Sequence, residues 1–195
     1  METTIQNETI ANLFKELDLS AEHVSNHLEL LAGVDSKYLK ELRINISNAY
    51  NSSTIDKKDS FLLGLAVAVN EKHTGLQEAL TRQAIAAGAT EQEIAETIAC
   101  TSLMNINNVF YRFRHFVKKE YYTQTPAGIK MGIMANPILG KELFELISLV
   151  VSALNGCELC VSMHEESLLK HQSTQARILD AVKIGAITKG LTAVL

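Results

Sequence analysis

KELFELISLVVSALNGCELCVSMHEESLLKH, Lys141 to His171, reads as a helix, a two-residue break and a second helix. Apolar residues recur at helical spacing from Lys141 to Leu154. Asn155-Gly156 interrupts that pattern, and the residues from Cys157 to His171 suit a new helix. Sliding the chain by 84 residues lays Phe61 on Glu145 and Ile94 on Ile178. Both halves then read helix, short break, helix, short break, helix, which is the mark of an internal repeat. In the earlier copy the places of Glu145, Cys157, Cys160 and His164 are taken by Phe61, His73, Leu76 and Leu80. On that repeat, one copy is expected to carry the chemistry and the other only to pack.

Helical periodicity extends over the rest of the chain. It predicts helices near Glu8 to Leu17, Ala21 to Leu31 and Ser36 to Tyr50, the last with Leu39, Leu42 and Ile46 on one face. NSSTIDKKDS, Asn51 to Ser60, breaks the pattern. Apolar residues return over Phe61 to Asn70. A helix from about Gly75 is closed by Gly88. Thr90 and Glu93 have capping-box spacing, and the helix they start runs to about His115. Another helix is expected from Thr174 to the C-terminus. The segment after His115 holds both prolines, Pro126 and Pro137, and reads as a connector. The expected fold is all-α, a helical bundle with a duplicated helical unit. It is one domain over 1–195, with an N-terminal helical extension (1–54), a first repeat (55–116), a connector (117–140) and a second repeat (141–195).

The 195 residues are 47% hydrophobic, enough for one core shared by two repeats. A net charge of −4 argues against a nucleic-acid surface. No run approaches the roughly 18 apolar residues of a membrane span. METTIQNETIANLFKELDL lacks the basic and apolar regions of a secretory signal, so a cytoplasmic location is expected. Three cysteines are too few for a disulfide scaffold. Cys100, inside ETIACTSLM, reads as a small buried hydrophobe.

Cys157 falls in the expected helix's first turn, where free N–H groups and the helix dipole favour a thiolate. Cys160 and His164 follow on the same face, and an imidazole one turn from a thiol can relay its proton. Glu145 lies twelve residues before Cys157, and an antiparallel hairpin would return it toward Cys160 and His164. A C-x-x-C pair suits thiol–disulfide exchange. Zinc held by the two thiolates, His164 and Glu145 is an alternative on spacing, and an inert buried pair is another. His171 reads as a partner for the helix C-terminus. Glu158, Glu165 and Glu166 read as a solvated face, and Arg112, Arg114, Lys118 and Lys119 as a solvated helix end. His115 reads as a solvent or oligomer contact. His23, His27 and His73 have no reactive neighbours in sequence.

The segments MNINNVFYRFRHF, KMGIMANP and FELISLVVSALNGCELCVSMHEESL resemble the alkylhydroperoxidase D family, within the carboxymuconolactone decarboxylase-like superfamily. The spacing of Glu145, Ser152, Asn155, Cys157, Cys160 and His164 carries the resemblance most specifically. It implies an all-helical duplicated fold assembled as trimers or hexamers. It also implies a thiol-dependent peroxidase acting on organic hydroperoxides. Cys160 would be the peroxidatic thiol, Cys157 its resolving partner and the sulfur that meets the reductant, and Glu145 and His164 a proton relay. The resemblance implies no bound cofactor. The reductant would be a dihydrolipoyl group, carried by a 2-oxoacid dehydrogenase component, or another dithiol, and a peroxiredoxin is a possible partner. The family's best-known members place a histidine just before the second cysteine. Here Leu159 stands there, after Glu158, which leaves the relay one member shorter and the entrance more apolar. Two other functions stay open: a protein disulfide reductase with little peroxidase activity, and a non-enzymatic zinc or redox-sensing module.

Overall fold

The computed structural model describes residue 5 and residues 7–195. The start of the expected N-terminal extension lies outside the described residues. Among those described, ten α-helices form and no strand. They are α1 (Glu8–Leu17), α2 (Asn26–Gly33), α3 (Lys37–Tyr50), α4 (Lys57–Asn70), α5 (Thr74–Ala86), α6 (Glu91–Val117), α7 (Glu120–Gln124), α8 (Lys141–Leu154), α9 (Glu158–Lys170) and α10 (Gln175–Thr192). Ala21–His23 and Gly132–Met134 are single 3-10 turns.

The 84-residue offset holds at the level of the backbone. It carries α4 onto α8, α5 onto α9, and the start of α6 onto the start of α10. Lys72 (φ 59) and Gly156 (φ 67) take the same left-handed position in the two breaks. The next N–H, of His73 or Cys157, donates at 3.0 Å to the carbonyl of Ala68 or Ser152. Even an ion pair is carried over, with its charges exchanged. Lys58 meets Glu93 at 2.6 Å in the first copy, and Arg177 Nε meets Glu142 at 3.1 Å in the second.

The hairpins α4–α5 and α8–α9 share one core. The inner helices α4 and α8 pack on each other, and α6 and α10 each cross both. Leu62, Leu63 and Val67 of α4 and Leu146, Ile147 and Val151 of α8 are fully buried, so the apolar run of each inner helix has neighbours on most sides. The extension docks α3 on α10 and α1 on α5. Gly64 is required on α4 because a side chain there would meet the Tyr50 hydroxyl, which bonds Thr188 Oγ1 at 2.8 Å.

Two expectations are corrected. The helix expected over Ala21 to Leu31 is split: Ser25 Oγ accepts the Leu28 N–H at 3.1 Å and starts α2 at Asn26. The break expected over Asn51 to Ser60 ends early, because Asp56 caps the Asp59 N–H at 2.9 Å and opens α4 at Lys57. The connector holds α7 and a 3-10 turn. The Thr90–Glu93 capping box forms in both directions.

Candidate active site

The turn between α8 and α9 is held from outside. The Asn155 amide donates to Asn108 Oδ1 at 2.9 Å, and the Asn108 amide donates to Ser152 Oγ at 2.9 Å. The Arg112 guanidinium donates to the Asn155 carbonyl. Asn70 and Asn105 extend this net, joined by a 2.9 Å bond from the Asn105 amide to Asn70 Oδ1. Asn108 and Arg112 are one turn apart on α6, so a single helix face grips the turn. The solvated-end reading of Arg112 is thereby corrected. Its partner is 43 residues away, and nothing local in the sequence announces such a contact.

The grip positions Cys157 as the N-cap residue of α9 rather than inside its first turn. Cys160, three residues on, is disulfide-bonded to it, with Cα atoms 5.3 Å apart. Both are buried, Cys157 to 1% exposure and Cys160 to 6%. Cys160, not Cys157, opens on a hollow of about 240 Å³. Leu159, Met131, Met134 and Met163 give this hollow an apolar wall, and Tyr111, Asn107 and His164 also face it. Tyr111 and Leu159 also line a neighbouring hollow of about 390 Å³, with Arg114, His115 and Lys118.

The hairpin brings Glu145 to His164. Glu145 Oε2 lies 2.6 Å from His164 Nδ1, and each side chain is only 13% exposed. A carboxylate on Nδ1 fixes that nitrogen as the proton carrier and leaves Nε2 to exchange a proton elsewhere. His164 and Cys160 share the hollow, while no hydrogen bond joins His164 to a sulfur among the described residues in this oxidised state.

Other candidates fall outside this group. Cys100 is fully buried, and burial pushes its thiol up to about 12. His171 is an exposed residue at the α9 C-terminus. Glu158 is solvated, 3.8 Å from His115. His73 caps α5 by accepting the Leu76 N–H on Nδ1 at 3.1 Å, a role its sequence neighbours did not suggest. Among the described residues no three His, Cys, Asp or Glu side chains gather to hold a metal ion.

The carboxymuconolactone decarboxylase family profile matches residues 121–195, from α7 to the end of α10. The chain is also 38% identical over 164 residues to alkyl hydroperoxide reductase AhpD of Maricaulis maris, covering 82% of this chain and 91% of that one. It is 36% identical over 172 residues to the AhpD of Hyphomonas neptunium, covering 86% and 93%. The AhpD of Coxiella burnetii is 36% identical over 160 residues, covering 80% and 90%. The chain belongs to the alkyl hydroperoxide reductase AhpD family.

Proposed function

We propose that this protein is a thiol peroxidase that reduces organic hydroperoxides through a Cys157–Cys160 dithiol–disulfide cycle. In the reduced protein the Cys160 thiolate attacks the terminal oxygen of ROOH. The O–O bond breaks, RO⁻ leaves, and His164 supplies its proton. Cys160 becomes a sulfenic acid. The Cys157 sulfur then attacks the Cys160 sulfur, the S–S bond forms and water leaves. Two thiols and ROOH thus yield one disulfide, ROH and H₂O. Glu145 stabilises the imidazolium that takes the thiol proton.

The observation that carries this reading is the shared hollow: a reactive-position sulfur, an imidazole anchored by a carboxylate, and an apolar wall suited to an organic tail. The family membership supports the same chemistry. Leu159, where better-known relatives carry histidine, adds to the apolar wall and cannot relay a proton.

An external dithiol, such as a dihydrolipoyl group on a dehydrogenase component, restores the pair. With Cys157 at 1% exposure, direct attack on that sulfur requires the Asn155–Cys157 turn to open. Cys160 is the sulfur within reach of the hollow. A peroxiredoxin is a further candidate partner. The protein is proposed to assemble as a homo-oligomer, a trimer or hexamer, through the α6 stripe Ile106, Val109, Phe113 and Phe116, all exposed in the single chain. No helix among the described residues is long and apolar enough to cross a membrane.

The test is a thiol count. The fully reduced protein, given cumene hydroperoxide, should lose two of its three thiols and keep Cys100. No hydroperoxide-dependent loss would sink the proposal.

A further inference from the structure

Asn107 and Asn108 are neighbours on α6 with opposite fates. Asn108 is fully used: its amide donates to Ser152 and its oxygen accepts from Asn155. Asn107 is 6% exposed, and its Oδ1 is buried without a hydrogen-bond partner. Its amide nitrogen has only the Met131 sulfur, at 3.3 Å, a weak acceptor. A buried amide oxygen left unpaired is costly and uncommon. This one belongs to a side chain lining the hollow onto which Cys160 and His164 open.

We infer that Asn107 is a substrate-binding residue: its side-chain oxygen, sealed from solvent in the oxidised chain, turns into the hollow to accept the O–H of the hydroperoxide and sets the terminal oxygen against Cys160. This inference rests on the peroxidase reading. An organic hydroperoxide has one hydrogen-bond donor, the O–H on the oxygen that sulfur attacks. Of the other lining residues, Asn108 is already paired on both ends of its amide, Tyr111 brings a hydroxyl, and the methionine and leucine carbon holds the organic tail but cannot orient the head. His164 protonates the oxygen that leaves, so it serves the other end of the O–O bond. Asn107 thus completes a division of labour. After transfer the same O–H sits on sulfur as the sulfenic acid, and Asn107 still accepts it while Cys157 approaches. An ether, a disulfide or an alkylating agent lacks that hydrogen and gains nothing from the residue.

The test compares two reactions of Cys160 in the full-length reduced protein. One is single-turnover oxidation by cumene hydroperoxide. The other is alkylation by iodoacetamide, which reports thiolate reactivity without a hydroperoxide head. Asn107→Leu keeps the volume and removes the acceptor. It should slow oxidation about 10-fold, the effect of one lost hydrogen bond, and leave alkylation within about twofold. Asn107→Ser, which keeps a small acceptor and stands in should the leucine variant not fold, should fall between. Equal losses in both reactions, or no loss in either, would overturn the role. A wild-type protein that alkylates but ignores the hydroperoxide would overturn the peroxidase reading itself, which separates the two failures.

Discussion

The hairpins α4–α5 and α8–α9 share their helix bounds and the form of their turn but differ in chemistry. In the first, the N-cap of the outer helix is His73, whose ring accepts the Leu76 N–H. In the second, Cys157 and Cys160 occupy those two places and close a disulfide. Phe61 and Leu80, both buried, face the core at the places where Glu145 and His164 are hydrogen-bonded at 2.6 Å in the second hairpin. The place of Leu159, on the wall of the hollow, belongs in the first hairpin to Gly75, and the His23 ring of the extension lies against it. The hairpin therefore folds with or without sulfur and charge. The proposed reactive set is an overlay of four side chains on a scaffold that does not need them, and at Gly75 the first hairpin is covered by the His23 ring of the N-terminal extension.

The largest expected effect comes from removing the proposed nucleophile. Cys160→Ser should lower hydroperoxide turnover by at least about 10³-fold, with circular dichroism unchanged, because Leu76 already fills that place in the first hairpin. The converse graft sharpens the comparison. His73→Cys with Leu76→Cys should form a dithiol in the first hairpin, yet react with cumene hydroperoxide no faster than a free thiol, since Phe61 and Leu80 move no proton. Next in size, Glu145→Gln should slow Cys160 oxidation about 10²-fold and displace its pH profile, because the imidazolium loses its counter-charge. Arg112→Ala should cost about 1.5–3 kcal/mol in chemical denaturation, the range for a hydrogen bond to a charged group, through loss of its grip on Asn155.

The smallest effect is one of pH and belongs to the first hairpin alone. Burial lowers the His73 pKa from its ordinary value, and the nearby His23 charge lowers it further. The unfolded chain then binds the proton more readily than the folded one. Stability from this site is full above about pH 6.5 and falls as pH drops below it, because protonation removes the Nδ1 acceptor that caps α5. A thermal scan between pH 7.5 and 5 should show the decline, and His73→Ala should remove it at a cost of about 1 kcal/mol. The disulfide at the corresponding place in the second hairpin does not titrate.

Much of this was legible in the sequence, for physical reasons. Helix α8 was readable to both its ends, since an apolar run closed by Asn-Gly leaves no other solution. The capping box at Thr90 was readable because its two partners are three residues apart. Glu145 and His164 could be paired in advance because the break between their helices is only three residues long. The net around the turn could not. Asn108, Arg112 and Asn107 lie on a helix that meets the site only after the repeats pack together, and an asparagine in a helix looks the same whether its amide is used or free. The split of the second expected helix was hidden for a similar reason. Ser25 is held by a donor bond to the Val194 carbonyl, 169 residues away.

The most direct measurement is mass spectrometry of two single variants after a brief pulse of cumene hydroperoxide. Cys157→Ser keeps Cys160 and removes the resolving sulfur, so it should accumulate a sulfenic acid on Cys160. Cys160→Ser should leave Cys157 unoxidised on the same timescale. A sulfenic acid on Cys157 with Cys160 spared would contradict the assignment of attack to the sulfur that opens on the hollow.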